Sequence, residues 1–144
     1  MKPAPERLHL SAYPMQMPIE TRFGDLDVLH HVNNVAMASL FQEARVRSYH
    51  QIRAQVPEWT GGIVVASLSI AYLREALYPA AMTSGFAILE AGRTSFKVAQ
   101  ALFQDGACVS TADVVQVYRG EDGASAPLPE KLRAHLLSLA LRAA

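Results

Sequence analysis

Hydrophobic and polar positions divide the chain into a front part built around one apolar helix and a longer back part that reads as strands. Residues 15–23 (MQMPIETRF) suit a first strand, and Pro18 confines it to a sheet edge or a bulge because proline has no amide to give a neighbour. The next stretch, GDLDVLHHVNN (24–34), has neither helical nor strand periodicity and is dense in groups that titrate or hydrogen-bond. Loops of this kind carry function more often than architecture. Asn33 or Asn34 then serves as an N-cap, whose side-chain oxygen accepts from a free first-turn amide, and a helix runs from about 35 to about 54. Its first half, VAMASLF (35–41), is apolar or small on every side, which predicts an enclosed helix with no solvent face. Its second half becomes amphipathic, with Glu43 and Arg47 at i,i+4 spacing.

Behind it lie IVVASLSIAYLR (63–74), MTSGFAILEAG (82–92), TSFKVAQALFQ (94–104) and CVSTADVVQVYRG (108–120). Turn signals separate these runs at Tyr78-Pro79, Gly92-Arg93 and Asp105-Gly106, the last a strong hairpin dipeptide, so the sheet is expected to be antiparallel. Residues 1–12 read as a loose lead-in, and the leucines at 132, 136, 137, 139 and 141 predict a C-terminal helix within 128–144. One strand, one enclosed helix and four further strands make an α+β domain in which an antiparallel sheet wraps a central helix. At 144 residues the chain has room for a single such domain.

Composition narrows the function classes. Thirteen Lys plus Arg balance thirteen Asp plus Glu, so net charge gives no support to nucleic-acid binding. A single cysteine, Cys108, excludes an internal disulfide, and the N-terminus lacks the apolar core of a secretory signal. With no run long and apolar enough for a membrane span, a cytoplasmic protein is expected. No Gly-x-Ser-x-Gly elbow is present, and Cys108 has no clear histidine partner, which leaves Ser and Cys nucleophiles unsupported. Asp25, Asp27, His30 and His31 are metal-ligand types, yet residues so close in one loop rarely all face one ion, and no metal is expected. Taken alone, Asp25 and Asp27 are ordinary turn-capping residues, and a loop histidine is ordinarily a satisfied polar group.

RFGDLDVLHHVNNVAMASLFQEAR (22–45), with its Asp-x-Asp, His-Val-Asn-Asn and Glu-x-Ala-Arg at fixed offsets, resembles the signature of the 4-hydroxybenzoyl-CoA thioesterase-like branch of the hotdog superfamily. YLREALYPA (72–80) resembles the segment by which that family leaves its second strand. The resemblance implies a hotdog fold and hydrolysis of an acyl-CoA thioester, with Asp27 at the position of the catalytic aspartate as general base or as nucleophile. It further implies that His31 orients water or donates to the thioester carbonyl, and that Asn33 and Asn34 open a helix whose amides face the developing oxyanion. Glu43, on the central helix, is the second candidate carboxylate, although its pairing with Arg47 accounts for it equally well. CoA, as part of the substrate and not a cofactor, would be held at a subunit boundary with help from Arg74, Arg93 and Lys97, and the chain would self-associate into a dimer or tetramer. A hotdog hydratase, an acyl-carrier-protein thioesterase and a non-catalytic acyl-thioester binder are the alternatives. Similar sequences carry a tyrosine two or three residues after Asn-Asn, where this chain has Val35-Ala36-Met37, so one wall of the acyl pocket is expected to differ.

Overall fold

The computed structural model describes residues 2–143. Five strands, β1 (Met15–Ile19), β2 (Gly62–Tyr72), β3 (Met82–Ala91), β4 (Ser95–Gln104) and β5 (Ala107–Arg119), form one sheet in the order β1-β3-β4-β5-β2, with every neighbouring pair antiparallel. Pro18 falls on β1, an edge strand, where a missing amide is tolerated. β4 and β5 are joined by Asp105-Gly106, both at positive φ (50° and 76°), the backbone that a two-residue hairpin turn demands.

The long helix α1 (Asn34–Gln55) crosses one face of this sheet, chiefly over β1, β3 and β4. Its buried residues Ala36, Met37, Leu40, Phe41, Ala44, Arg45, Ser48 and Ile52 recur at three- and four-residue steps, so a single stripe faces the strands. Near its start Met37, Leu40 and Phe41 pack with Ile19, Met82 and Leu102. Farther along, Ile52 joins Phe86, Phe96, Val98 and Val114, and the cluster is closed by Leu132 and Leu136 of α2 (Glu130–Leu137). The Tyr49 ring meets Trp59, Phe86 and Phe96 edge-on, and its hydroxyl donates to Gln116 Oε1 at 2.8 Å, which satisfies the polar end of a largely apolar side chain.

Three expectations need correction. The first half of α1 is not enclosed within one chain, since Val35 is 72% exposed beside a buried stripe. Residues 1–12 are not a loose lead-in. Two 3-10 turns, Pro5–Leu8 and Leu10–Ala12, lie on the other face of the sheet, where Arg7 donates to the Ala112 carbonyl (3.1 Å) and pairs with Asp113 (2.7 Å) while Tyr13 is wholly buried. The C-terminal helix also stops at Leu137, because the Ile88 amide donates to the Leu139 carbonyl (2.8 Å) and the Leu141 amide to the Ile88 carbonyl (3.3 Å). Those groups of Ile88 are open to the tail because β1 pairs with β3 only as far as Phe86, so the chain after α2 runs beside β3 and bridges it at Ala140 in place of another helical turn.

β2 forms the other edge of the sheet. Alternation places Val65, Leu68 and Tyr72 on the α1 side, yet they remain 49%, 44% and 52% exposed because α1 lies over the opposite half. Among the described residues no helix is long and apolar enough to cross a membrane.

Candidate functional site

The polar loop between β1 and α1 is a compact, internally bonded structure. Leu26 and Val32 form an isolated bridge, and the Asp27 amide donates to the His31 carbonyl at 2.9 Å. The His30 amide closes a turn onto the Asp27 carbonyl at 3.0 Å, with His30 itself at φ 64°, a conformation that histidine adopts more readily than most residues. Val28 and Leu29 project from the tip, 93% and 68% exposed.

Asp25 and Asp27 have separate environments. Asp25 is buried and its carboxylate accepts from the Arg22 amide (2.8 Å) and guanidinium (2.9 Å), while its carbonyl accepts from both the Asn33 amide and the Asn33 side chain. Burial pushes the Asp25 carboxyl up, but the bonds and charge of Arg22 outweigh that effect and leave its pKa below the ordinary aspartate value. Asp25 is therefore a strut between the end of β1 and the start of α1. Asp27 is exposed, and its Oδ1 accepts from the Leu29 amide at 2.8 Å and the His31 amide at 3.3 Å. Its Oδ2 has no partner among the described residues. One oxygen thus anchors the turn and leaves the other available.

Asn33 is the cap, with Oδ1 accepting from the Ala36 amide at 2.8 Å and Nδ2 spent on the Asp25 carbonyl at 2.9 Å. The scaffold thus engages both ends of this side chain and fixes its orientation. Asn34 is the first helical residue, and the Asn34 and Val35 amides, with no partner among the described residues, are the free donors at the positive end of α1.

The connection from β2 to β3 supplies the other wall. Gln104 bonds the Leu77 amide (2.9 Å) and carbonyl (2.8 Å), and the Val32 amide donates to the Ala76 carbonyl at 2.9 Å, so this connection is tied directly to the polar loop. The result is a cavity of about 340 Å³ lined by His31, Val32, Met37, Tyr72, Leu73, Arg74, Glu75 and Ala76. His31 Nε2 lies 3.1 Å from Glu75 Oε2, and the Tyr72 hydroxyl donates to the Asn34 carbonyl at 3.4 Å. Sequence reasoning singled out neither Tyr72 nor Glu75 for the site. Tyr72 brings a phenol from β2 to the helix start, near the place where Val35-Ala36-Met37 lacks one.

Of the loop candidates only His31 lines this cavity; Asp27, Asn33 and Asn34 are not among its lining residues, and the remaining candidates divide between it and other places. Glu43 is exposed, 4.0 Å from Arg47, whose guanidinium also donates to the Pro18 carbonyl of β1, and it does not line the cavity. Arg74 does line it. Arg93 sits in the β3–β4 turn, near the Ser95–Val117 pair, whereas the Arg74 amide bonds the Val109 carbonyl. Those levels of β5 are about 25 Å apart at strand rise. Lys97 alternates with buried Phe96 and Val98 and so points from the outer face, where it lines a different cavity. Within one chain the three cations do not act on one ligand group. Asp25, Asp27, His30 and His31 do not converge, and among the described residues no three His, Cys, Asp or Glu side chains are grouped to hold a metal ion. Burial pushes the Cys108 thiol up to about 11, which leaves it protonated and unreactive near neutrality.

Known proteins share this architecture. The sequence model of the Thioesterase-like superfamily matches residues 21–136. A thioesterase from Thermus thermophilus, solved in complex with coenzyme A and Zn, is 31% identical, with 89% of this chain and 95% of that one covered at a TM-score of 0.77. The PA5185 protein of Pseudomonas aeruginosa PAO1 is 27% identical over 95% of this chain and 98% of its own, at a TM-score of 0.78. YbaW, a probable thioesterase of Escherichia coli, is 25% identical over 87% and 98%, at a TM-score of 0.71. No curated protein matches.

Proposed function

Since this chain belongs to the Thioesterase-like superfamily and has its hotdog fold, we propose that it hydrolyses acyl-CoA thioesters to the free acid and CoA, with Asp27 driving the chemical step. The observation that carries this reading is the Asp27 carboxylate, held by Oδ1 while Oδ2 has no hydrogen-bond partner among the described residues, on the loop that leads into the free amides of α1. As a general base, Oδ2 takes a proton from water while the water oxygen bonds to the thioester carbon. The C–S bond then breaks and CoA leaves as thiolate, to be protonated by solvent. As a nucleophile, Oδ2 bonds to that carbon, expels the thiolate and forms an anhydride that water cleaves. Either route places negative charge on the carbonyl oxygen, to which the Asn34 and Val35 amides would donate. CoA as the thiol component is supported by the coenzyme A bound to the Thermus thioesterase.

The same reading includes self-association. Among the described residues β2 pairs on one side only along its eleven residues, with Val65, Leu68 and Tyr72 uncovered beside an exposed Val35, and a second copy would cover that face and close the cavity. Release of free thiol from a panel of short, long, branched and aromatic acyl-CoAs, with acyl-carrier-protein thioesters alongside, tests the activity. Binding of these esters without thiol release would make the protein an acyl-thioester binder instead.

A further inference from the structure

His31 has two nitrogens, and the use the site can make of the ring depends on which of them carries hydrogen. Glu75 addresses one of them, with Oε2 3.1 Å from Nε2. A carboxylate can only accept, so the contact holds hydrogen on Nε2, and in a neutral ring Nδ1 then carries a lone pair. The approach is built by the backbone. Gln104 clamps Leu77 and the Val32 amide bonds the Ala76 carbonyl, which sets Glu75 beside the residue that precedes Val32. The pair forms part of the cavity wall together with Met37 and Tyr72.

We propose that Glu75 is a positioning residue that keeps His31 in the Nε2–H form, so that Nδ1 meets the substrate as a hydrogen-bond acceptor orienting the attacking water. This rests on the thioesterase reading and selects between two roles that the sequence leaves open, because a ring with Nδ1 free of hydrogen does not donate to the thioester carbonyl. A carboxylate behind an imidazole acts in the same sense in hydrolytic triads. Here the pair is partly open to water, with His31 and Glu75 side chains 29% and 69% exposed, so its effect is modest. An exposed pair of this type biases an equilibrium by about 5-fold at most.

The test compares the full-length wild type with Glu75→Gln, Glu75→Asp, His31→Ala and the double variant, using thiol release and the ring ¹⁵N shifts of His31. Glu75→Gln, whose amide can accept or donate, is expected to lower kcat about 3- to 5-fold with KM and melting temperature unchanged, and Glu75→Asp to recover part of the loss. In the His31→Ala background the Glu75→Gln change should have no further effect, since a positioning residue acts only through its partner. The ¹⁵N shifts should show Nε2–H in the wild type and a mixture in Glu75→Gln. The proposal is overturned if the wild-type ring carries hydrogen on Nδ1, if Glu75→Gln leaves kcat and the shifts unchanged, or if its effect persists without His31. A wild type that releases no thiol from any ester defeats the thioesterase reading, and the shifts still decide the tautomer.

Discussion

Replacing Asp27 by Asn separates chemistry from scaffolding, because the two oxygens of that carboxylate have different tasks. Oδ1 accepts from the Leu29 and His31 amides at 2.8 and 3.3 Å, and the asparagine carbonyl can take both contacts over. What Asn loses is Oδ2, the oxygen with no partner among the described residues, which becomes an amide nitrogen that neither accepts a proton nor attacks carbon. A general base contributes about 10²–10⁴-fold, or about 3–5 kcal/mol of transition-state stabilisation, so kcat on the best acyl-CoA should fall by that factor with KM little changed. The melting temperature should stay at the wild-type value, whereas Asp27→Ala, which also releases two loop amides to water, should cost about 1 kcal/mol in addition. Initial rates of thiol release and thermal melts of both variants supply the numbers. Glu43→Gln is the control and should keep near-normal rates, since Glu43 is exposed on the helix surface and faces Arg47 at 4.0 Å. Near-normal turnover by Asp27→Asn, or a larger loss in Glu43→Gln, would refute the reasoning.

Three further outcomes follow from the fold. A Cβ at Gly85 would lie 2.6 Å from Cγ of the buried Tyr13 ring, so Gly85→Ala should destabilise by about 1–3 kcal/mol, seen as a lowered thermal midpoint, and an unchanged midpoint would contradict the packing of the N-terminal turns. Asp25 has a folded pKa below its unfolded value near 3.9, so its stabilisation is complete above that pH and is lost as pH falls toward the folded value. Denaturant titrations should therefore show Asp25→Asn well below wild type at pH 7, with the gap narrowing as the pH falls below about 3.9, and a gap that fails to narrow on acidification would remove Arg22 as the cause. Sedimentation at micromolar concentration should show a dimer or larger assembly that Leu68→Lys, on the exposed inner side of β2, weakens. A wild-type monomer would count against closure of the site by a second copy.

Features set by nearest neighbours were legible in the sequence. Pro18 confines β1 to an edge, Asp105-Gly106 has the backbone freedom of a tight hairpin, and Asn33 caps α1, each for reasons contained within a few residues. The lead-in was misread because the buried Arg7 guanidinium reaches the Ala112 carbonyl and Asp113, groups on β5 that no local pattern connects to it. The last leucines were misread as helix because their periodicity suits one, while the partner that draws the Leu139 carbonyl and the Leu141 amide away from it is Ile88, on β3 beyond the end of β1.

The candidate site divides along the same line. Its loop stood out by composition, since a run with two carboxylates, two imidazoles and two amides has no periodicity to serve. Which of these groups is free for chemistry did not, because that depends on bonds made elsewhere. The Asp25 carboxylate is engaged by Arg22, Asn33 is fixed by the Asp25 carbonyl and the helix it caps, and Asp27 is held only at one oxygen. Tyr72 and Glu75 reach the loop because Gln104 and Ala76 hold the β2–β3 connection against it. The charged Arg74-Glu75 step directly after an apolar strand was the one available signal, since charge at a strand end must face solvent or a site. Arg93 and Lys97 show why charge alone is insufficient. They too stand at a turn and on a strand, yet sheet length and strand alternation place them far from Arg74. A cation's residue type says that it can bind an anion, and only its position along and across the sheet says whether the anion of this site is within reach.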